Sequence, residues 1–257
     1  MRELHVLPCG YEKGDMSSLT LLKHTGTSVN IPYHIYLIED PDFTILVDTG
    51  TSIHWRELHP KELNESWPIQ IEPDEYPDRI LDSLGLSPND VDYVINTHLH
   101  YDHCGNNAMF PKSTFLVNED EMSHALAPGW WESLCYVRAV FDLPNLKYQR
   151  IGGEFQVSPG VKIIPTPGHT EGHQSVLVKL EQTGTLVLAG DAIYLRENLE
   201  GPVLPGLYVD AKRFARSMSY LRHIVDLEHG CMLLSHSREY LSPRGWKSLE
   251  KGINTFK

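Results

Sequence analysis

The chain is short of cysteine and of positive charge, and it has no long apolar run. Its four cysteines, Cys9, Cys104, Cys135 and Cys231, lie far apart and form no CxxC pair. That excludes a disulfide framework, and all four read as free thiols. Lys and Arg number 22 against 34 Asp and Glu, a net charge of −12. No nucleic-acid partner is expected, because such binding depends on cationic side chains neutralising phosphates. No stretch approaches the ~18 consecutive apolar residues of a membrane-spanning helix, so no membrane partner is expected either. Residues 1–15 lack an apolar run of signal-peptide length, which gives the expectation of a cytoplasmic protein. There is no low-complexity tract, fixed-period repeat or Gly/Ser linker, which favours one domain over 1–257.

What is present is an ordinary globular composition, 41% hydrophobic and 22% charged, with 14 His among 257 residues. Apolar, β-branched runs bounded by turn residues predict strands at Leu4–Leu7, Ile35–Ile38, Phe43–Val47, Tyr93–Asn96, Thr114–Val117, Val161–Ile164, Val176–Leu180, Leu186–Ala189 and Met232–Leu234. Helices are predicted at Tyr76–Leu84, Asn118–Leu126, Trp131–Phe141 and Ala211–Leu227, with a weaker one after Pro243. The clearest is Ala211–Leu227, where Phe214, Met218, Leu221, Ile224 and Val225 share one face and Asp210 is the N-cap. Layer logic suggests sheets packed face to face with helices outside, leaving α/β and α+β equally open. Thr51–Tyr76 has no clear periodicity and reads as a long loop, either a surface excursion or a lid beside a site. Asp40, Asp42, Asp90 and Asp92 flank strands and read as solvated turn residues.

The informative segment is Asn96-Thr97-His98-Leu99-His100-Tyr101-Asp102-His103. It follows a predicted strand, and in extended chain residues i and i+2 point to one side. His98 and His100 are therefore placed to hold one cation, and Asp102 and His103 to reach a second position nearby. Imidazole and carboxylate suit zinc and neighbouring first-row metals. A solvated His/Asp-rich turn is the plain alternative. Against it, His169, Asp191 and His236 each stand just past the end of a predicted strand. Ligands converging from several strand ends are a usual way to build a site.

These residues resemble the metallo-β-lactamase superfamily of hydrolases. The run His98-x-His100-x-Asp102-His103, followed by His169, Asp191 and His236, is similar to the family's complete dinuclear ligand set. Asp48-Thr49-Gly50 is similar to a further motif whose Asp orients the metal histidines. The resemblance covers nearly the whole chain. It implies an αββα sandwich of two mixed sheets with helices outside and metals at one edge. It also implies that His98, His100 and His169 hold one divalent metal, that Asp102, His103 and His236 hold the other, and that Asp191 bridges them. Zinc is the expected metal, with cobalt, manganese or iron suited to similar ligands. Water shared by two cations ionises near neutral pH, so the resemblance implies attack by a metal-bridging hydroxide.

Fold does not fix the substrate. The run Asp191–Asp210, together with Gly168–Ser175, looks like the corresponding stretches of bacterial N-acyl homoserine lactone lactonases. That likeness implies opening of the lactone ring, with quorum quenching as the role. It implies that Tyr194 donates to the lactone carbonyl and its developing oxyanion. Asp102 is implied as proton relay to the leaving alkoxide, and a homodimer is in keeping with the family. The plain alternative for Tyr194 is a core aromatic with a satisfied hydroxyl. A lactonase for another small lactone such as γ-butyrolactone would use the same machinery. A glyoxalase-II-like thioester hydrolase shares the histidine core but would add a basic, glutathione-binding helical region, which the short stretch after His236 does not provide.

Other residues carry less signal. Trp55 and Trp67 are candidates for an apolar slot that takes an acyl chain, as are Trp130, Trp131, Tyr136 and Phe141, with core or subunit contact as their ordinary reading. His173 reads as a buried histidine supporting the ligands without joining them, and Cys104 as a packed free thiol. His5, His24, His34, His54, His59, His124, His223 and His229 show no ligand pattern, and surface or satisfied interior positions are expected for them.

Overall fold

Alternation of side chains along a strand gives it two faces, and this chain buries both faces of each of its sheets. The computed structural model describes residues 1–257. The first sheet runs in the order Asn254–Phe256, Glu3–Asp15, Ser28–Glu39, Thr44–Val47, Tyr93–Ile95, Thr114–Asn118 and Lys147–Ile151, with Ile69–Gln70 also pairing on Glu3–Asp15. The second runs Gly245–Ser248, Glu239–Ser242, Cys231–Leu233, Gly184–Leu188, Gln174–Leu180, Val161–Pro165 and Phe155–Ser158. Both sheets mix parallel and antiparallel pairs.

The alternation sorts the core into layers. Leu4, Val6, Tyr36, Ile38 and Val47 of the first sheet pack against Val161, Ile163, Val176, Leu186 and Leu233 of the second. On its other face the first sheet presents Leu7, Ile35, Leu37, Leu46 and Phe115 to Leu81, Met122 and Phe141 of the outer helices. The second sheet presents Ile164, Val187 and Met232 to Phe214, Met218, Leu221 and Val225 of the helix Ala211–Glu228. Asp210 caps that helix by accepting from the N–H groups of Lys212 and Arg213. The expected sandwich, two sheets inside and helices outside, is the observed one. No helix is long and apolar enough to cross a membrane.

Several elements differ from the sequence reading. The first strand extends to Asp15 because a bulge between Pro8 and Tyr11 lets pairing resume against Ser28–Ile31 after Gly10 at φ 94°. Residues 51–76 hold short helices at Trp55–Leu58 and Lys61–Ser66 and the strand Ile69–Gln70. Within 131–141 only Arg138–Phe141 is helical. The Cys135 carbonyl there accepts from Tyr101 N–H at 3.0 Å, so no helical bond uses it. After Pro243 the chain makes a hairpin, not a helix, turning through Gly245 at φ 98°. Asp40 is not solvated: its side chain is 1% exposed and accepts from Arg2 Nε at 2.7 Å and Ser158 Oγ at 2.7 Å.

Candidate metal centre

Strand ends assemble the site. Thr44–Val47 and Tyr93–Ile95 are parallel neighbours, and Asp48 and His98 leave their carboxyl ends. Gly184–Leu188 and Cys231–Leu233 are also parallel, and they deliver Asp191 and His236 in the same way. Val161–Pro165 leads through a Pro/Gly turn to His169. Carboxyl ends of neighbouring parallel strands are where such sheets gather ligands.

The side chains meet closely. His169 Nε2 stands 3.2 Å from His98 Nε2 and 3.1 Å from His100 Nδ1. His103 Nε2 lies 3.5 Å from Asp102 Oδ2, and His236 Nε2 lies 3.9 Å from it. Asp191 sits between the groups. Oδ2 is 3.3 Å from His169 Nε2 and 3.9 Å from His98 Nε2, Oδ1 is 3.2 Å from His103 Nε2, and His236 Nε2 stands 3.3 Å from both. Three clusters of metal-binding character result: His98, His100 and His169; His98, His103 and Asp191; Asp102, His103 and His236.

The outer ring nitrogens show why the inner ones are free to ligate. His103 Nδ1 donates to Asp48 Oδ2 at 2.8 Å, and His236 Nδ1 donates to the Pro32 carbonyl at 3.1 Å. His169 Nδ1 reaches the Leu207 carbonyl at 3.0 Å. Partners of this kind fix the tautomer and leave the Nε2 lone pairs pointing inward. His103 Nε2 and Asp191 Oδ1 are buried with no hydrogen-bond partner. Buried polar atoms left so are costly, and a cation between them removes that cost. The donor set therefore fits a pair of divalent metals.

Charge in the cluster follows. Burial pushes the Asp191 carboxyl up, yet His103, His236 and His169 hold it well below the usual carboxylate range. Burial opposes protonation of His103, but Asp191, Asp102 and Asp48 raise it well above an ordinary imidazole. His236 is raised to about 9, chiefly by Asp191 acting against burial. His98 and His100 are lowered well below 6.5 by burial and then by neighbouring histidines.

The supporting residues are equally well placed. Asp48 accepts from Thr97 N–H and Thr97 O–H, each at 2.7 Å, besides His103. It orients His103 directly and the His98 strand end through Thr97. His173 is fully buried; its Nδ1 donates to the Thr166 carbonyl at 3.1 Å and its Nε2 accepts from Asp191 N–H at 2.9 Å. Burial, then His169, lowers it to about 3, so it stays neutral. Gly190 makes this contact feasible, since a Cβ there would stand 2.6 Å from His173 Nε2. Cys104 is the packed thiol expected, donating to the Leu99 carbonyl at 3.3 Å. His59 departs from expectation: it is buried beside Tyr101 at 5.0 Å between rings, and neither of its nitrogens has a partner.

Sequence reasoning missed Glu121. It is fully buried, and Oε1 accepts from Leu99 N–H at 2.9 Å while Oε2 accepts from Gly172 N–H at 3.2 Å. One carboxylate thus ties the His98–His100 loop to the turn that carries His169. Its signal was hidden, because an acid in the first turn of Glu119–Ala125 looks like a solvated helix start. Glu121→Gln replaces one acceptor by a donor facing an N–H. We expect a loss of about 1–3 kcal/mol, a melting drop of roughly 2–10 °C and metal affinity weakened about 10–100-fold. Thermal melts with metal titration check this; a variant that melts and binds like wild type would remove Glu121 from the support.

Beside the cluster lies a cavity of about 220 Å³. His100, Asp102, His169, Asp191, Tyr194 and His236 form one end, and Leu19, Ile31, Leu63, Trp67, Trp131, Leu134 and Leu207 line the rest. The structure brings Trp67 to this cavity. It does not bring Trp55, which packs in the core of the outer helices at 9% exposure. Phe141 is also core, whereas Trp130 is 85% exposed. Tyr136 is buried with its ring 4.7 Å from that of His100. The Tyr194 hydroxyl stands 3.0 Å from His169 Nδ1 at the cavity end.

A family model for the metallo-beta-lactamase superfamily matches residues 30–236. An N-acyl homoserine lactonase of Bacillus cereus is 33% identical over 100% of this chain and 98% of its own length. The N-acyl homoserine lactonase AttM of Rhizobium radiobacter is 30% identical, covering 96% of each. The structure of an N-acyl homoserine lactone hydrolase, with the product N-hexanoyl-L-homoserine bound at the catalytic metal centre, superposes with TM-score 0.83 at 32% identity over 91% of this chain and 92% of that one.

Proposed function

Because the chain belongs to the metallo-β-lactamase superfamily, we propose that it opens the lactone ring of N-acyl homoserine lactones by hydrolysis, and so quenches quorum signals. The observation that carries this is the full-length likeness to lactonases, one of them holding the ring-opened product at its metal centre. The whole chain works as one domain. His98, His100 and His169 would hold one cation and Asp102, His103 and His236 the other, with Asp191 reaching both groups. Zinc is the proposed metal, because neutral imidazoles with one or two carboxylates suit it. When bound, two divalent cations supply a water that ionises near neutral pH and a Lewis acid for the carbonyl.

The protein's own groups do the rest. The apolar wall of Leu19, Ile31, Leu63 and Trp67 takes the acyl chain and excludes water from it. Residues 51–76 supply part of that wall and act as its lid. Tyr194 O–H donates to the lactone carbonyl and stabilises the negative charge that develops there. Asp102, within 3.9 Å of His236 and facing the cavity, takes the proton given up by the attacking water and passes it to the alkoxide that leaves as the ring C–O bond breaks. We place the protein in the cytoplasm and read Trp130 and Trp131 as contacts of a homodimer, which light scattering on the purified protein tests.

The deciding experiment is a hydrolysis panel on metal-loaded protein: short- and long-chain acyl homoserine lactones, γ-butyrolactone, a glutathione thioester and a β-lactam. Acyl homoserine lactones should be turned over best. A preference for the thioester or the β-lactam would overturn the substrate assignment. For Tyr194→Phe, kcat should fall about 10²-fold, the range for removal of one oxyanion donor. Metal content should stay at the wild-type level. Unchanged kcat would leave Tyr194 as a core aromatic.

A further inference from the structure

One buried carboxyl of the cavity is used by neither the metal ligands nor their supports. Glu12 lines the cavity and is 5% exposed. The bulge between Pro8 and Tyr11 puts it there. Before the bulge Leu7 pairs with Ile35; after it Glu12 pairs with Ile31. Directly opposed residues share a face, so Glu12 lies on the face of Leu7, Ile35 and Tyr33. Uninterrupted alternation would have turned it toward the second sheet with Leu4 and Val6. Bulges re-aim side chains in this manner beside functional sites.

Two hydroxyls hold Glu12 in place. Tyr33 O–H and Tyr101 O–H both donate to Oε2, the latter at 2.6 Å. Oε1 receives no hydrogen bond from the protein. Burial and then the Asp102 charge push this carboxyl up to about 7, against the two tyrosine donors, whose hydrogen bonds favour its charged, accepting form. A plain alkyl chain lying against Oε1 would displace water from it and leave an acceptor unpaired, which is costly in an apolar wall.

Resting on the lactonase reading above, we propose that Glu12 is a specificity-determining residue. Its Oε1 accepts a hydrogen bond from a donor on the acyl-amide arm of the lactone. Such an arm carries two kinds of donor, the amide N–H common to all acyl homoserine lactones and a hydroxyl near the amide in some.

The test compares kcat and KM of wild type and Glu12→Gln on N-hexanoyl, N-(3-hydroxyhexanoyl) and N-(3-oxohexanoyl) homoserine lactones and on γ-butyrolactone, which has no such arm. In the variant the tyrosine hydroxyls take the amide oxygen, and the NH₂ faces the cavity. The pocket acceptor becomes a donor. KM should rise on acylated substrates, with kcat/KM falling roughly tenfold or more relative to γ-butyrolactone. A loss equal on all three acylated lactones identifies the amide N–H as donor. A loss confined to the 3-hydroxy compound, with the 3-oxo compound favoured, identifies the hydroxyl. Equal loss on γ-butyrolactone, or no loss anywhere, overturns the proposal, the first by showing a merely structural role. These ratios are taken within one sample, so partial unfolding cancels. If the variant does not fold, wild type on N-hexanoyl homoserine lactone and its N-methylated amide, and on the 3-hydroxy compound and its O-methyl ether, reads the same bond: a loss of roughly tenfold in either pair supports it, and equal turnover in both sinks it. Failure of wild type to open any acyl homoserine lactone would instead sink the lactonase reading itself.

Discussion

Replacing Asp191 by asparagine should lower kcat/KM by on the order of 10⁴-fold or more, the scale seen when one member of a group acting as a unit is removed. The side chain keeps its shape, so the fold should survive. What changes is charge and acceptor count. Both carboxylate oxygens are committed, one toward His98 and His169, the other toward His103, with His236 3.3 Å from each. An amide offers a single oxygen and turns its NH₂ toward ring nitrogens that must themselves ligate. The charge of Asp191 is also first among the influences that raise His103 and His236. Without it both imidazoles fall back toward ordinary values, and the bridge between the two proposed cations is lost. Metal analysis should show less than two equivalents bound, and kinetics should fall with it. A variant that retains two equivalents and a tenth of wild-type activity would show that Asp191 does not bridge.

How much of this could be read beforehand depends on how local each feature is. The ligand run His98 to His103 is contiguous, and His169, Asp191 and His236 each stand just past a short apolar strand, so residue type and strand end together located them. The helix Ala211–Glu228 was legible because one face carries Phe214, Met218 and Leu221. The segment 131–141 misled because its buried residues, Glu132, Tyr136, Val137, Val140 and Phe141, fall at helical spacing although only Arg138–Phe141 is helical and the Cys135 carbonyl is taken by Tyr101 N–H. Glu12 was out of reach. Its orientation depends on a bulge, and its partners Tyr33 and Tyr101 come from two other elements. Glu121 likewise acquires meaning only when Gly172 approaches it, where a Cβ would meet Glu121 N at 2.2 Å. The four-layer arrangement itself came from family resemblance, since alternation alone does not say which face of a strand meets the second sheet and which meets helices.

Metal removal should make stability fall with rising pH where the loaded protein is nearly level, because the proposed ligands change role when the cations leave. In metal-free protein His103 and His236 are protonated well above the ordinary imidazole range, His236 up to about 9. Their folded values are raised, so their contribution is complete below the unfolded value of about 6.5 and is lost as pH climbs through the folded values, about 9 for His236. Asp191 has the opposite sign: its lowered carboxyl stabilises above the ordinary carboxylate range, and that contribution is lost as pH falls. Between pH 6.5 and 9 the histidine effect governs, and metal-free protein weakens with rising pH. A cation requires the Nε2 lone pairs, so binding must release the protons held there. With two to release, affinity should climb by up to about 100-fold per pH unit below 9, and less steeply once His236 has lost its proton. Bound metal stabilises in proportion to the logarithm of its concentration over Kd. The melting temperatures of loaded and chelated protein should therefore diverge steadily from pH 6.5 to 9, the chelated one falling while the loaded one stays nearly level, because tighter binding offsets the loss. Calorimetry in two buffers of different ionisation enthalpy counts the protons directly. A constant gap between the two melting curves, or no proton release, would mean that His103 and His236 are neutral before the metal arrives and that Asp48 and Asp191 do not hold protons on them.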